Sequence, residues 1–144
     1  MGLHWPARHH LPRIAAAMVI VAAAAATLWL NLPGHLSYDS VVQLAEGRGG
    51  LYTGEHPLVM SWLLGVGDRL LPGAGLFVAF DVLLVFGALL ALVLIAPRPA
   101  WIAAPLAALC ALLPQLAVYP AIVWKDVLFA GASAAGFAAL AWAA

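Results

Sequence analysis

The chain alternates long apolar runs with short polar segments, and the runs have the length of membrane-spanning helices. Predominantly apolar sequence occupies residues 14–32, 76–96, 101–119 and 127–144. A helix of about 20 apolar residues crosses a hydrocarbon core about 30 Å thick. The pattern therefore predicts an all-α, polytopic membrane bundle with about four transmembrane helices.

The first run follows a short basic segment. Residues 1–13 contain Arg8, Arg13 and three histidines, and they are predicted to form a cytoplasmic N-terminus. A cleavable signal peptide is the alternative, since basic residues before an alanine-rich core are its signature. The run is longer than a usual signal core, and Trp29, Leu30 and Asn31 stand where small residues would mark a cleavage site. A membrane anchor is the favoured interpretation.

The polar residues concentrate in a loop at 33–75. Its first part, 33–57, holds three of the six acidic side chains and two of the five histidines. Isolated charges in lipid are costly, so this part must lie in water at a membrane face or in a cavity. Asp39, Gln43 and Glu46 are spaced for one face of a short helix, which the glycines at 47, 49 and 50 are expected to end.

A second short helix is predicted at 57–71. It opens with proline at a plausible first helical position and is too short to span a bilayer. Ser61, Gly65 and Asp68 or Arg69 form a narrow polar stripe along it. This helix is expected to lie in the interface plane.

Composition agrees with the membrane assignment and removes other classes. The chain is 66% hydrophobic and only 8% charged, against about 25% charged residues in a soluble domain. The formal net charge is zero, so no basic surface points to nucleic acid as a partner. The single Cys110 excludes a disulfide within one chain.

The few basic residues indicate an orientation. Arg8 and Arg13 precede the first run and Arg98 lies between the second and third, so the positive-inside rule assigns both segments to the cytoplasm. The loop at 33–75 and the short connection at 120–126 are then both exoplasmic. The acids and bases of the two outer segments would face the same water: Asp39, His56, Lys125 and Asp126.

Simpler explanations exist for each of these residues. Asp126 could cap the fourth helix, where a carboxylate favours the helix dipole, while Lys125 extends to the interface. Asp39 could be a solvated loop acid and His56 an ordinary interface histidine. Asp81 is the one acid inside a predicted span, about 9 Å from its start, and both a functional and a structural role remain open for it.

Several short motifs now appear in a recognisable order. Tyr-Asp-Ser at 38–40 follows the first span, His-Pro-Leu at 56–58 leads into Met-Ser-Trp-Leu at 60–63, and Val-Trp-Lys-Asp at 123–126 follows the third span. This order resembles the N-terminal part of the GT-C membrane glycosyltransferases. It is most similar to the bacterial relatives of the dolichyl-phosphate-mannose protein mannosyltransferases and of the aminoarabinose lipid A transferases.

The resemblance implies a bacterial inner-membrane enzyme that uses a polyprenyl-phosphate sugar donor and an acceptor that is not identified. In that family an acid in the first outer loop, flanked by two juxtamembrane helices, is essential, and a second acid sits in the next outer loop. Asp39 and Asp126 take these catalytic roles by resemblance. Substrate-binding roles are expected for four further residues: Tyr38, Arg48, His56 and Lys125.

The chain departs from the family pattern at three positions. Ser40 follows Asp39 where many relatives have a second acid, His56 replaces the lysine of some relatives, and Leu58 replaces a second proline. Some family members use a divalent metal ion, and two acids with one histidine could hold one. No other cofactor is implied.

Length separates this chain from that family. Its members are several times longer, so the expectation is the N-terminal portion of a larger transferase. The alternative is a non-catalytic multi-pass protein, such as part of a transporter or an assembly subunit. That alternative gives no reason for carboxylates and bases to gather at one face, and neither midplane charges nor internal repeats of a transporter are clear.

Overall fold

The computed structural model describes residues 11–95 and 100–143 as a bundle of helices. Within these residues no β-strand forms, which confirms the all-α prediction. Residues 1–10, 96–99 and 144 lie outside the described ranges, and with them Arg8 and Arg98, two of the three arginines on which the predicted orientation rests. The helices are α1 (Leu11–Asn31), α2 (Tyr38–Gly49), α3 (Leu58–Leu70), α4 (Gly75–Ile95), α5 (Ala100–Ala111), α6 (Pro114–Val118) and α7 (Lys125–Ala143), with a 3-10 turn at Tyr119–Ala121.

Three of these helices are long and apolar enough to cross a membrane. They are α1, α4 and α7, and they correspond to the predicted spans at 14–32, 76–96 and 127–144. The bent pair of α5 and α6 supplies a fourth if it is counted as one span. Multi-pass membrane character is therefore supported. Both short helices expected in the 33–75 loop are present as α2 and α3.

The predicted third span at 101–119 is not one continuous helix. The segments 104–111 and 114–121 meet at an angle of 57°. Pro114 lacks an amide hydrogen and disfavours helical backbone in the residue before it, and Leu113 accordingly has an extended ψ of 135°. The break directs α6 back towards the end of α1, where the Asn31 side-chain amide donates to the Ala117 carbonyl at 2.8 Å.

The central helix α4 packs against α1 on one side and α7 on another, and its buried face forms much of the core. Gly131 early in α7 lies against Leu84 and Val85, while Trp142 at the far end of α7 shares a cavity with Ala91. The two helices therefore run in the same direction. The C-terminus of α1 meets the N-terminus of α4. The C-terminus of α1 and the N-termini of α4 and α7 therefore lie at the same end of the bundle.

Helices α2 and α3 cross with their backbones in contact. A Cβ atom on Gly47 would lie 2.2 Å from the Ser61 carbonyl oxygen, and one on Gly65 would lie 2.4 Å from the Gly47 carbonyl oxygen. Gly47 was expected to end α2, but it lies inside the helix and permits this close approach. The helix ends one residue before Gly50, whose φ of 66° is the left-handed conformation of a helix C-cap.

We predict that Gly65→Ala destabilises the fold by about 1–3 kcal/mol, the usual cost of overpacking. Alanine favours a helix by about 1 kcal/mol over glycine, but the added methyl would meet backbone atoms that cannot move without separating α2 from α3. Denaturant unfolding in detergent measures the change. The matched control is Gly49→Ala, because a Cβ on Gly49 meets nothing within 4 Å. Equal effects of the two substitutions would contradict the contact.

Candidate functional site

Two chain segments that precede α2 and α7 are joined side by side through their backbones. The amide of His35 donates to the Ala121 carbonyl at 2.9 Å, and the amide of Val123 donates to the His35 carbonyl at 3.0 Å. This isolated parallel bridge pairs His35 with Ile122. Asp39 lies four residues after His35, and Asp126 lies four residues after Ile122. The parallel register therefore brings the two acids to the same region.

Gly34, next to the bridge, allows the backbone to pack closely against α4. Its φ of 113° is strained for any residue with a side chain, and an added Cβ would lie 2.5 Å from a methyl group of Val78 in α4. On the other side, Asn31 Oδ1 accepts a hydrogen bond from His35 Nε2 at 2.9 Å. The first outer segment is thus held against both α1 and α4.

Ser40 links the start of α2 to the segment before α7. Its hydroxyl donates to the Val123 carbonyl and lies 2.8 Å from the hydroxyl of Ser37, whose side chain caps α2. Ser40 is 1% exposed. A carboxylate at this position would have no proton to donate to that carbonyl, which is a physical reason for a serine here. The sequence did not reveal Val123 as the partner of Ser40.

A polar pocket of about 440 Å³ opens beside this link. Five of the six predicted site residues line it, and they come from α2, from α7 and from the loop that precedes α3. Gln43 and Trp124, which the sequence did not assign, also line it. The predicted residues in the pocket are Tyr38, Asp39, His56, Lys125 and Asp126.

Inside the pocket the Asp39 carboxylate faces His56. One Asp39 oxygen lies 3.9 Å from His56 Nε2, which is too long for a direct hydrogen bond. The Asp39 side chain is 74% exposed and that of His56 is 17% exposed. His56 Nδ1 is buried without a hydrogen-bond partner among the described residues. The open Asp39 carboxylate is therefore accessible to a ligand in the pocket.

Arg48 does not line this pocket. Its guanidinium donates two hydrogen bonds to the Asp68 carboxylate in α3, at 2.8 and 2.6 Å. The Gly73 amide donates a third at 2.7 Å. Arg48 first, and Gly73 second, hold the pKa of Asp68 down at about 2. The structure thus gives Arg48 a partner that ties α2 to α3 and places it apart from the other candidate residues.

Glu46 does not line the pocket and belongs to a second polar cluster, with Thr53 and Ser61. Its carboxylate accepts hydrogen bonds from the backbone and side chain of Thr53 and from the Ser61 hydroxyl. The bonds from the Thr53 side chain and then Ser61 lower the pKa of Glu46. Helical spacing placed Glu46 on the same face as Asp39 and Gln43. It could not reveal Thr53 as a partner, because Thr53 lies in an irregular loop.

The possible metal site finds no support in the geometry. Across residues 11–95 and 100–143, no three His, Cys, Asp or Glu side chains lie close enough to hold an ion together.

Asp81, the acid within the predicted second span, does not line the pocket. It is 1% exposed, and neither carboxylate oxygen has a hydrogen-bond partner among the described residues.

Comparison with known proteins does not assign the chain to a family. No family model, curated protein or solved structure matches the chain.

We predict that Ser40→Ala destabilises the protein by about 1–3 kcal/mol, because the Val123 carbonyl is buried and loses its hydroxyl donor. Thermal unfolding in detergent measures the loss. Ser133→Ala in α7 is the control, since this half-buried serine makes no side-chain hydrogen bond to another segment within residues 11–95 and 100–143. An unchanged unfolding temperature for Ser40→Ala would contradict the link between the two outer segments.

We also predict that the ion pair of Asp68 is lost in acid. The folded pKa of about 2 lies below the ordinary value of 3.8, so the stabilising contribution is complete above about pH 4 and disappears as the pH falls towards 2. The difference in unfolding temperature between the wild type and Asp68→Asn should shrink over this range. Glu55→Gln, which removes an exposed loop acid, is the control. A difference that persists unchanged at pH 2 would refute the assignment.

Proposed function

We propose that the chain is the N-terminal part of a membrane glycosyltransferase. It would transfer a sugar from a polyprenyl-phosphate donor to an acceptor hydroxyl at the exoplasmic face of the bacterial inner membrane. The observation that carries the proposal is the polar pocket, in which two carboxylates and two basic side chains from distant segments meet. This is the set of groups that the order of the motifs implies.

Asp39 is assigned the role of general base. Its carboxylate is open to the pocket and is held at the N-terminal turn of α2, whose position is fixed by Ser37 and Ser40. A base must come within hydrogen-bond distance of the proton that it removes, and a rigid attachment makes that placement reproducible. Asp126, in the first turn of α7, is the second acid that can orient the acceptor or the sugar.

The phosphate of the donor is assigned to the basic side of the pocket. Lys125 is the first residue of α7, where the free backbone amides and the helix dipole favour an anion. His56 also lines the pocket, from the loop that precedes α3. These groups would stabilise the charge that develops on the phosphate as it leaves.

The surroundings of the pocket suit a substrate with both a polar and a hydrocarbon part. Trp124 and Asp126 also border an apolar groove of about 460 Å³ between α4, α6 and α7. Lys125 and Asp126 border another, of about 420 Å³, between α3 and α7. An amphiphile could therefore place its head in the polar pocket and its chain along α7.

The proposed reaction is a direct displacement. The acceptor oxygen attacks the anomeric carbon, the bond from that carbon to the phosphate oxygen breaks, and the electron pair leaves with the lipid phosphate. The acceptor proton passes to Asp39. Attack from the face opposite the phosphate inverts the anomeric centre, so no covalent sugar-enzyme intermediate forms.

We predict that Asp39→Asn lowers sugar transfer by about 10²–10⁴-fold, the range that general-base catalysis supplies. Asparagine keeps the size of the side chain but cannot accept the proton. The assay follows release of polyprenyl phosphate from radiolabelled polyprenyl-phosphate mannose, glucose and aminoarabinose in membranes that contain the complete product of the gene.

Glu55→Gln is the control, because Glu55 is an exposed acid of the same outer loop and does not line the pocket. Its transfer rate should equal that of the wild type. Undiminished transfer by Asp39→Asn would remove Asp39 from the mechanism. Failure of the wild type to consume any of the three donors would favour the non-catalytic membrane protein.

A further inference from the structure

We infer that Glu46 is a positioning residue that holds His56 at the wall of the polar pocket. The inference concerns the geometry of the loop and does not depend on the proposed transferase reaction. Glu46 does not line the pocket itself. It acts on His56 through hydrogen bonds to residues on both sides of it in the chain.

The Glu46 carboxylate binds the chain before and after His56. One oxygen accepts from the Thr53 amide at 3.2 Å and from the Thr53 hydroxyl at 2.5 Å. The other oxygen accepts from the Ser61 hydroxyl at 2.7 Å. Thr53 lies three residues before His56, and Ser61 lies in the first turns of α3. Both oxygens of the carboxylate are therefore used to fix the ends of the segment that carries His56.

The loop between α2 and α3 has little else to hold it. Residues 51–56 have no regular secondary structure, and the first five are exposed. Among the described residues, the hydrogen bonds that reach this segment both run from Thr53 to Glu46. His56 itself lies 3.9 Å from an Asp39 carboxylate oxygen and also interacts electrostatically with the Glu46 carboxylate, whose pKa it helps to lower. Glu46 is thus the main polar constraint on where His56 lies.

The helices that flank the loop are held together by other contacts. Gly47 and Gly65 bring the backbones of α2 and α3 together, and the Arg48 guanidinium binds Asp68. Loss of the Glu46 carboxylate would leave these contacts in place. The loop should therefore loosen while α2 and α3 stay packed, and this distinguishes a positioning role from a general structural one.

The test measures how fast diethyl pyrocarbonate modifies His56, with each histidine resolved by peptide mass spectrometry of the protein in detergent. We expect Glu46→Gln to raise the rate at His56 on the order of fivefold, the factor that corresponds to one lost hydrogen bond of ordinary strength. The rate at His35, which lies in the backbone bridge, should stay unchanged. Glu55→Gln is the matched control and should leave both rates unchanged.

A second pair of variants tests the link through Thr53. Thr53→Val removes the hydroxyl with little change of shape and should raise the rate at His56, while Thr53→Ser keeps the hydroxyl and should restore the wild-type rate. This pair also decides the matter if Glu46→Gln does not fold. The inference is overturned by an unchanged His56 rate in Thr53→Val, by equal rates in the valine and serine variants, or by a parallel rise at His35.

Discussion

The arrangement of the polar pocket depends on one short parallel contact between backbones. The two hydrogen bonds of His35, to Ala121 and from Val123, set the segments before α2 and α7 in a common register. Each helix then begins within a few residues of the bridge, so the side chains of the two first turns enter the same space. The hydroxyl of Ser40 adds a third bond across the junction. Without this register, Asp39 and Asp126 would have no fixed relation.

Contacts with α1 and α4 hold this backbone bridge in place. The break before Pro114 lets the chain return to the end of α1, where Asn31 binds the Ala117 carbonyl. Gly34 allows the first segment to press against Val78 of α4. Sharp turns and close backbone contacts, rather than side-chain charge, therefore bring the two outer segments together. The charged residues of the pocket are carried on a frame of largely apolar and backbone interactions.

The class of fold and half of the residues that line the pocket could be predicted from the sequence. Apolar runs located α1, α4 and α7, because the length needed to span a bilayer is a strong constraint on composition. The break at Pro114 and contacts between residues far apart in the chain could not be predicted from the sequence: the close approach of Gly47 to Gly65 and the ion pair of Arg48 with Asp68. Gly47, which the sequence predicts to end α2, lies inside that helix. Local periodicity carries no information about such pairings.

The register of the bridge has a consequence for how this region can change. Its hydrogen bonds use main-chain atoms, so the identities of His35, Ala121 and Val123 matter less than the count of residues that follows them. An insertion or deletion in either of the two four-residue intervals would rotate one acid about 100° around its helix axis, away from the other. Substitution of the three bridge residues would leave these main-chain hydrogen bonds in place, whereas a change in either interval would separate the two acids.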